Sequence, residues 1–202
     1  MIGMNLEGEI QGLREAGRLH DAATKAVEGY GPEVLGFLVT LLRDESSANE
    51  VFSQTCEDLW KGLGRFEGRS SLRTWFYVLA RHAATRFRRA PHRRPGRRVG
   101  LSEVSEIAER VRSRTLAHLR TEVKNSFAAI RDALSEDDRA LLVLRVDRSL
   151  SWNEIAQVFL PGAHPEESVA QVAAKLRKRF ERLKVEIRDR AREAGLVPEQ
   201  ER

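Results

Sequence analysis

Between Ser70 and Arg89 the apolar residues Leu72, Trp75, Phe76, Leu79, Ala83 and Phe87 recur every three or four positions, a spacing that an α-helix gathers onto one buried face. A Gly68-Arg-Ser-Ser turn opens this segment, and from there to Arg98 the sequence holds no acid. Arg73, Tyr77, Arg81 and Arg88 line up on another face with Arg86 and Arg89 beside them, and Arg93, Arg94, Arg97 and Arg98 follow in a Pro/Gly-containing exit. Eight arginines from Arg81 to Arg98, interspersed with His82 and His92, repel one another unless water, salt or a polyanion screens them. A bare charge run reads most simply as a solvated linker. An ordered aromatic helix leading into the run favours phosphates as the counter-charge, and hence a nucleic-acid surface.

The rest of the chain confines the fold to an all-α class. Alternating β-branched runs are absent, and helical periodicity returns between every pair of punctuators. Gly29-Tyr30-Gly31-Pro32 is expected to break a first helical region from a second, strongly apolar one over Glu33 to Leu42. Asp44-Glu45-Ser46-Ser47 supplies caps for a helix through Leu59-Trp60, and Gly62, Gly64 and Gly68 turn the chain before the arginine-rich helix. Residues 90–100 hold two prolines and two glycines and read as an open connector. Ser102 to Leu134 reads as one long or once-broken helix with many exposed charges. Two small helical domains joined by a linker are expected: 1–90, a linker with a helix over 91–124, and 125–202.

In the C-terminal third, Ser135-Glu136-Asp137-Asp138 can cap a helix bearing Leu141, Leu142, Leu144 and Val146. Ser151-Trp152-Asn153-Glu154 is a capping box, which starts a short helix through Ile155, Ala156, Val158 and Phe159. A turn over 160–167 leads to a third helix from Ser168. There Val172, Leu176, Phe180, Leu183 and Ile187 share one face, and Gln171, Lys175, Lys178 and Arg182 form a stripe turned away from it, with Arg177 and Arg179 to either side. Helix, short helix, turn and basic helix is the order of a helix-turn-helix reader, whose last helix enters the major groove. There Lys and Arg contact phosphates or guanine edges and Gln pairs with adenine; a basic, solvated bundle helix is the plain alternative. The turn is longer than the usual three or four residues.

Composition narrows the function classes. The 202 residues are 41% hydrophobic with a net charge of +5, and residues 1–98 carry 16 basic against 12 acidic side chains, so the excess sits in the first half. No apolar run reaches transmembrane length and no signal-peptide pattern opens the chain, so a cytoplasmic protein without membrane insertion is expected. Cys56, the lone cysteine, cannot form an internal disulfide and reads as a small core residue. His20, His82, His92, His118 and His164 lack metal-ligand spacing, no phosphate-binding Gly-Lys-Ser/Thr loop occurs, and Ser70-Ser71 lacks a nucleophile elbow. The expectation is a non-enzyme with no cofactor and no metal.

Taken together, the two segments resemble the sigma factors of bacterial RNA polymerase, in the compact extracytoplasmic-function type of the sigma-70 family. Leu59-Trp60-Lys61, Phe66-Glu-Gly-Arg-Ser-Ser-Leu-Arg-Thr-Trp75, Leu79-Ala-Arg-His-Ala-Ala84 and Arg88-Arg89 are similar to the family's second region in order and spacing. Leu134-Ser135 through Arg139, Leu142-Val-Leu-Arg145 and Leu150-Ser-Trp-Asn-Glu-Ile-Ala156 resemble its fourth region, with Val172 and Leu176 on the recognition helix. The resemblance covers roughly 20–90 and 125–185.

It implies a transcription initiation factor that binds core RNA polymerase and directs it to promoters. Polymerase docking, on the clamp helices of the largest subunit, falls to Glu50, Leu59 and Trp60. Recognition and opening of the minus-10 element falls to Arg69, Ser70, Ser71, Arg73, Tyr77, Arg81, His82, Arg86, Arg88 and Arg89, where an unstacked base is captured beside a cationic track. Trp75 and Phe76 either line that pocket or belong to the core, the core being favoured at their spacing. Duplex minus-35 DNA falls to Ser168, Gln171, Lys175, Arg177, Lys178, Arg179 and Arg182. The chain departs from the family where Ser47 to Cys56 keeps Glu50 as its one acid, and where His82 and Arg86 replace an expected Asn and acid, making the strand-binding face more basic. An anti-sigma partner is a family expectation that no residue here marks. The competing readings are a helix-turn-helix regulator binding duplex operators and an RNA- or single-strand-binding protein built on the arginine-rich helix.

Overall fold

The structure is a computed structural model that describes residues 2–89, 106–113, 115, 127–160 and 167–196. The chain divides into two compact units, Met1–Ala117 and His118–Arg202, and every regular element among the described residues is helical.

In the first unit, α1 (Ile2–Glu15), α2 (Leu19–Leu42), α3 (Glu45–Gly62) and α4 (Leu72–Arg89) pack around a core led by Phe37, Phe52, Phe76, Tyr77, Leu38 and Leu59. The Asp44 side chain caps α3 by accepting from the Ser47 amide at 2.7 Å, satisfying one of the donors a helix start leaves open. Cys56 is fully buried in that core, and burial pushes its thiol pKa up. A short 3₁₀ turn, Leu63–Arg65, ends α3.

The expected break at Gly29-Tyr30-Gly31-Pro32 does not occur: α2 runs unbroken through Pro32. The two glycines serve packing here. A Cβ on Gly31 would stand 3.1 Å from Val111 Cγ1 and 3.2 Å from Phe52 Cζ, so the missing side chain lets two neighbours close on the helix. Pro32 is exposed, and the carbonyl it deprives of a donor belongs to exposed Glu28, where water can replace the lost bond. The stretch expected as a linker contains a helix, α5 (106–113), whose Ile107, Ala108 and Val111 are buried against this unit and whose Arg112 donates to Ser53 Oγ at 2.6 Å.

The second unit holds α6 (Phe127–Asp132), α7 (Glu136–Leu142), α8 (Trp152–Phe159) and α9 (Val169–Glu193) around Leu141, Leu144, Ile155, Leu176 and Leu183. Three of its helices start as their sequences dictate: Ser135 accepts from the Asp138 amide, and Ser151 with Glu154 and Ser168 with Gln171 close full capping boxes. Past α7 the chain widens into a π-turn over Val143–Asp147. Residues 161–166, the middle of the turn before α9, lie outside the described residues, as does the basic connector 90–100.

Candidate nucleic-acid interface

The loop before α4 is built on stacked rings. Phe66 lies on Trp75 with centroids 4.9 Å apart and planes 30° from parallel, and the Arg14 guanidinium sits over the Phe66 ring, 4.8 Å from its centroid. Trp75 is thus half-buried under the loop, whereas Phe76 is wholly core. Gly68 adopts φ +71°, a left-handed turn that glycine takes without strain, and Arg69 follows with its side chain 86% exposed, paired with Glu67 at 2.5 Å. Ser71 opens α4: its Oγ accepts from the Thr74 amide at 3.0 Å and donates to Thr74 Oγ1 at 2.9 Å. Ser70 Oγ donates to the Ser71 carbonyl at 3.1 Å.

The expected cationic stripe on α4 is only partly a free-standing face. Tyr77 is not on the surface at all: it is fully buried, with its ring edge-on to Phe37 at 5.4 Å. Arg73 is tied to Glu33 of α2 through two bonds of 2.6 and 2.7 Å, the two-pronged geometry that makes Arg–carboxylate pairs strong. Arg86 pairs with Asp58 of α3, and Arg88 donates to the Leu41 carbonyl at 2.9 Å. Arg81 and His82 are half-buried, and Arg89 is exposed at the helix end. Arg93, Arg94, Arg97 and Arg98 lie outside the described residues.

On α9 the outward stripe is real: Gln171, Lys175, Lys178 and Arg182 are all exposed, and Leu176 and Leu183 are buried on the opposite side, with Val172, Phe180 and Ile187 half-buried. Two of these side chains already have local work. Gln171 Oε1 accepts from the Ser168 amide at 2.9 Å, and Lys175 pairs with Glu167 at 2.5 Å. Arg179 leaves the stripe and reaches back to the start of α7, donating to Asp138 at 2.7 Å and pairing with Asp137 at 3.4 Å. Burial pushes the Asp138 carboxyl up, but the hydrogen bonds from Arg179 and Ser135 outweigh it and hold the group below its ordinary value. Arg177 is exposed and lies 5.7 Å over the Trp152 ring, whose other cationic neighbour is Arg145 at 4.8 Å.

Of the residues expected to meet polymerase, Leu59 is a core side chain of α3 and fully buried. Glu50 and Trp60 are half-buried, and His20 packs edge-on to Trp60 at 4.4 Å. The residues that sequence reasoning passed over are the acids and the arginine that hold this surface: Glu7, Arg14, Glu33 and Asp58. The bonds by which they reach the loop and α4 span 28 to 65 positions, so no local pattern announces them.

Residues 26–94 match the family model for sigma-70 region 2, a span that contains α3, the ring-stacked loop and α4. The chain is 30% identical over 136 residues to the RNA polymerase sigma-H factor of Pseudomonas aeruginosa, a match covering 64% of this chain and 70% of that protein. It is 27% identical over 137 residues to the RNA polymerase sigma factor YlaC of Bacillus subtilis, across 64% of this chain and 75% of the relative. With the ECF RNA polymerase sigma factor SigX of the same organism it shares 26% identity over 164 residues, 79% of this chain and 84% of the relative. The all-helical fold, the region 2 match and the relatives agree: the chain belongs to the extracytoplasmic-function type of sigma factors of RNA polymerase, in the sigma-70 family.

Proposed function

We propose that this sigma factor, acting in the cytoplasm, selects promoters through a division of labour between its two units and performs no chemical step of its own. The first, centred on residues 1–90, docks on the clamp helices of the polymerase through the Glu50 and Trp60 side of α3. It then holds the opened minus-10 strand along the loop 66–71 and α4. The second, centred on 125–202, lays α9 into the major groove of the minus-35 element as the reading member of a helix-turn-helix.

The observation that carries this reading is the loop itself. It rests on a pair of stacked rings and projects Arg69 into solvent beside the start of a basic helix, which is what gripping a single strand requires: an aromatic platform next to positive charge. Arg69, Arg89 and the half-buried Arg81 supply backbone contacts; Arg73, Arg86 and Arg88 first hold α4 to α2 and α3. On α9 the exposed stripe of Gln171, Lys175, Lys178 and Arg182 supports duplex reading.

Photocrosslinking tests the assignment. With a crosslinking amino acid at position 69 and, separately, at 178, the chain bound to core polymerase on promoter DNA is expected to label the minus-10 single strand from the first site and the minus-35 duplex from the second. Labelling of duplex DNA from both sites in the absence of polymerase would instead indicate a free-standing operator binder.

A further inference from the structure

The loop 66–71 is fastened at both ends by one helix, and that helix precedes the segment matching sigma-70 region 2, which begins at residue 26. At the entry, Arg14 Nη2 donates to the Phe66 carbonyl at 2.6 Å while its guanidinium covers the Phe66 ring. At the exit, Glu7 Oε1 accepts from the amide of Leu72, the first residue of α4, at 2.5 Å, and Glu7 Oε2 accepts from the Tyr30 hydroxyl at 2.8 Å. Glu7 and Arg14 are seven positions apart, two turns along one face of α1, so a single rigid helix spaces the two anchor points.

The chemistry of each anchor suits its place. The Leu72 amide is one of the donors that the start of α4 leaves open, and a carboxylate there is favoured by the helix dipole as well as by the bond. A planar guanidinium can cover the Phe66 ring while one of its edge N–H groups donates to the Phe66 carbonyl, a combination that a Lys ammonium does not reproduce. Burial, together with the hydrogen bond to Glu7, pushes the Tyr30 hydroxyl pKa up, so the phenol stays protonated and keeps donating. Between these clamps the chain is left to present Arg69 outward.

We infer that Glu7 and Arg14 of α1 are positioning residues for promoter reading: they fix the span and pitch of the 66–71 loop, so that base discrimination at the minus-10 element depends on α1 without α1 touching DNA. This rests on the reading of the loop as the strand-gripping element. A loop misplaced by a fraction of an ångström to one ångström loses selectivity before it loses affinity, because base-edge contacts are more demanding in geometry than contacts to phosphate.

The experiment uses the full chain assembled with core RNA polymerase and a panel of promoter duplexes differing at single minus-10 positions. Glu7→Ala and Arg14→Ala are expected to lower the preference for the best sequence by about five- to tenfold, with affinity for core polymerase and the chain's helical content unchanged. Glu7→Gln, which can still accept from Leu72 and bond Tyr30, is expected to restore the preference; Arg14→Lys, which keeps a donor but loses the stack, is expected to restore it only in part. Ser70→Ala and Arg69→Ala in the loop itself serve as the reference. If they change the preference and the α1 variants do not, the positioning role is overturned. It is also overturned if the α1 variants lose core binding in step with promoter preference, since that marks a general structural defect. If the loop variants leave preference unchanged, the loop is not the reader, and the inference falls with it.

Discussion

Gln171 and Arg179 of α9 divide differently between the fold and the proposed minus-35 contact. Gln171 closes the capping box that starts the helix, and it also stands exposed on the outward stripe proposed for minus-35 reading. Gln171→Ala therefore removes both roles and is expected to cost about 0.3–1.5 kcal/mol of stability along with minus-35 preference. Gln171→Glu separates them: glutamate is equally able to complete the box, so stability should hold, while the added negative charge weakens minus-35 binding. Equilibrium unfolding and promoter binding of the two variants check this. Arg179 belongs to the fold. A carboxyl held below its unfolded pKa contributes stability above that value, about 3.9, and loses it as pH falls through the folded one. The wild type should thus lose more stability than Arg179→Ala between neutral pH and acid, and at pH 7 the variant should be less stable by about 1 kcal/mol, screening at the part-exposed guanidinium included. Urea unfolding at several pH values reads both. A parallel pH dependence in the two proteins would remove Arg179 from the Asp138 interaction.

The elements were legible in the sequence wherever their causes are local. Asp44, Ser135, Ser151 and Ser168 act within three residues of themselves, and each starts a helix where its motif stands. The apolar stripe from Leu72 to Ala83 likewise needs only its own spacing. Gly29-Tyr30-Gly31-Pro32 misled because the cause there is tertiary: Gly31 is small so that Phe52 and Val111 can approach, and nothing within the four residues records those neighbours. Tyr77 was assigned to the cationic face for the matching reason, since its burial against Phe37 is settled by α2. The same contrast is measurable. Gly31→Leu must displace packed side chains and is expected to destabilise the first unit by about 1–3 kcal/mol. Gly8→Ala, in α1 with open space around the added methyl, is expected to stabilise it by about 0.5–1 kcal/mol. Denaturant midpoints of the two variants should move in opposite directions.

At the level of the whole molecule, charge and cohesion are interleaved. The arginine content that pointed to nucleic acid is partly spent inside the first unit, where Arg73 and Arg86 tether α4 to Glu33 and Asp58. The sequence showed the charges but could not show their partners. Among the described residues Arg69 at the loop and Arg89 at the end of α4 stand exposed, and Arg86 stays open to solvent while it pairs with Asp58. Promoter affinity should accordingly depend on salt with a slope set by these contacts. Arg69→Ala and Arg89→Ala together are expected to flatten the slope of log K against log salt by about one to two units, while Glu33→Ala, which unties Arg73, should chiefly lower stability. Run-off transcription tests the central claim most directly. Core RNA polymerase, given this chain and a pool of genomic DNA fragments, is predicted to initiate at discrete sites that share one element about 10 base pairs and another about 35 base pairs upstream of the start, the two arms of promoter reading in this family. Binding of the chain to DNA fragments with no polymerase-dependent initiation, or starts that share no upstream sequence, would contradict it.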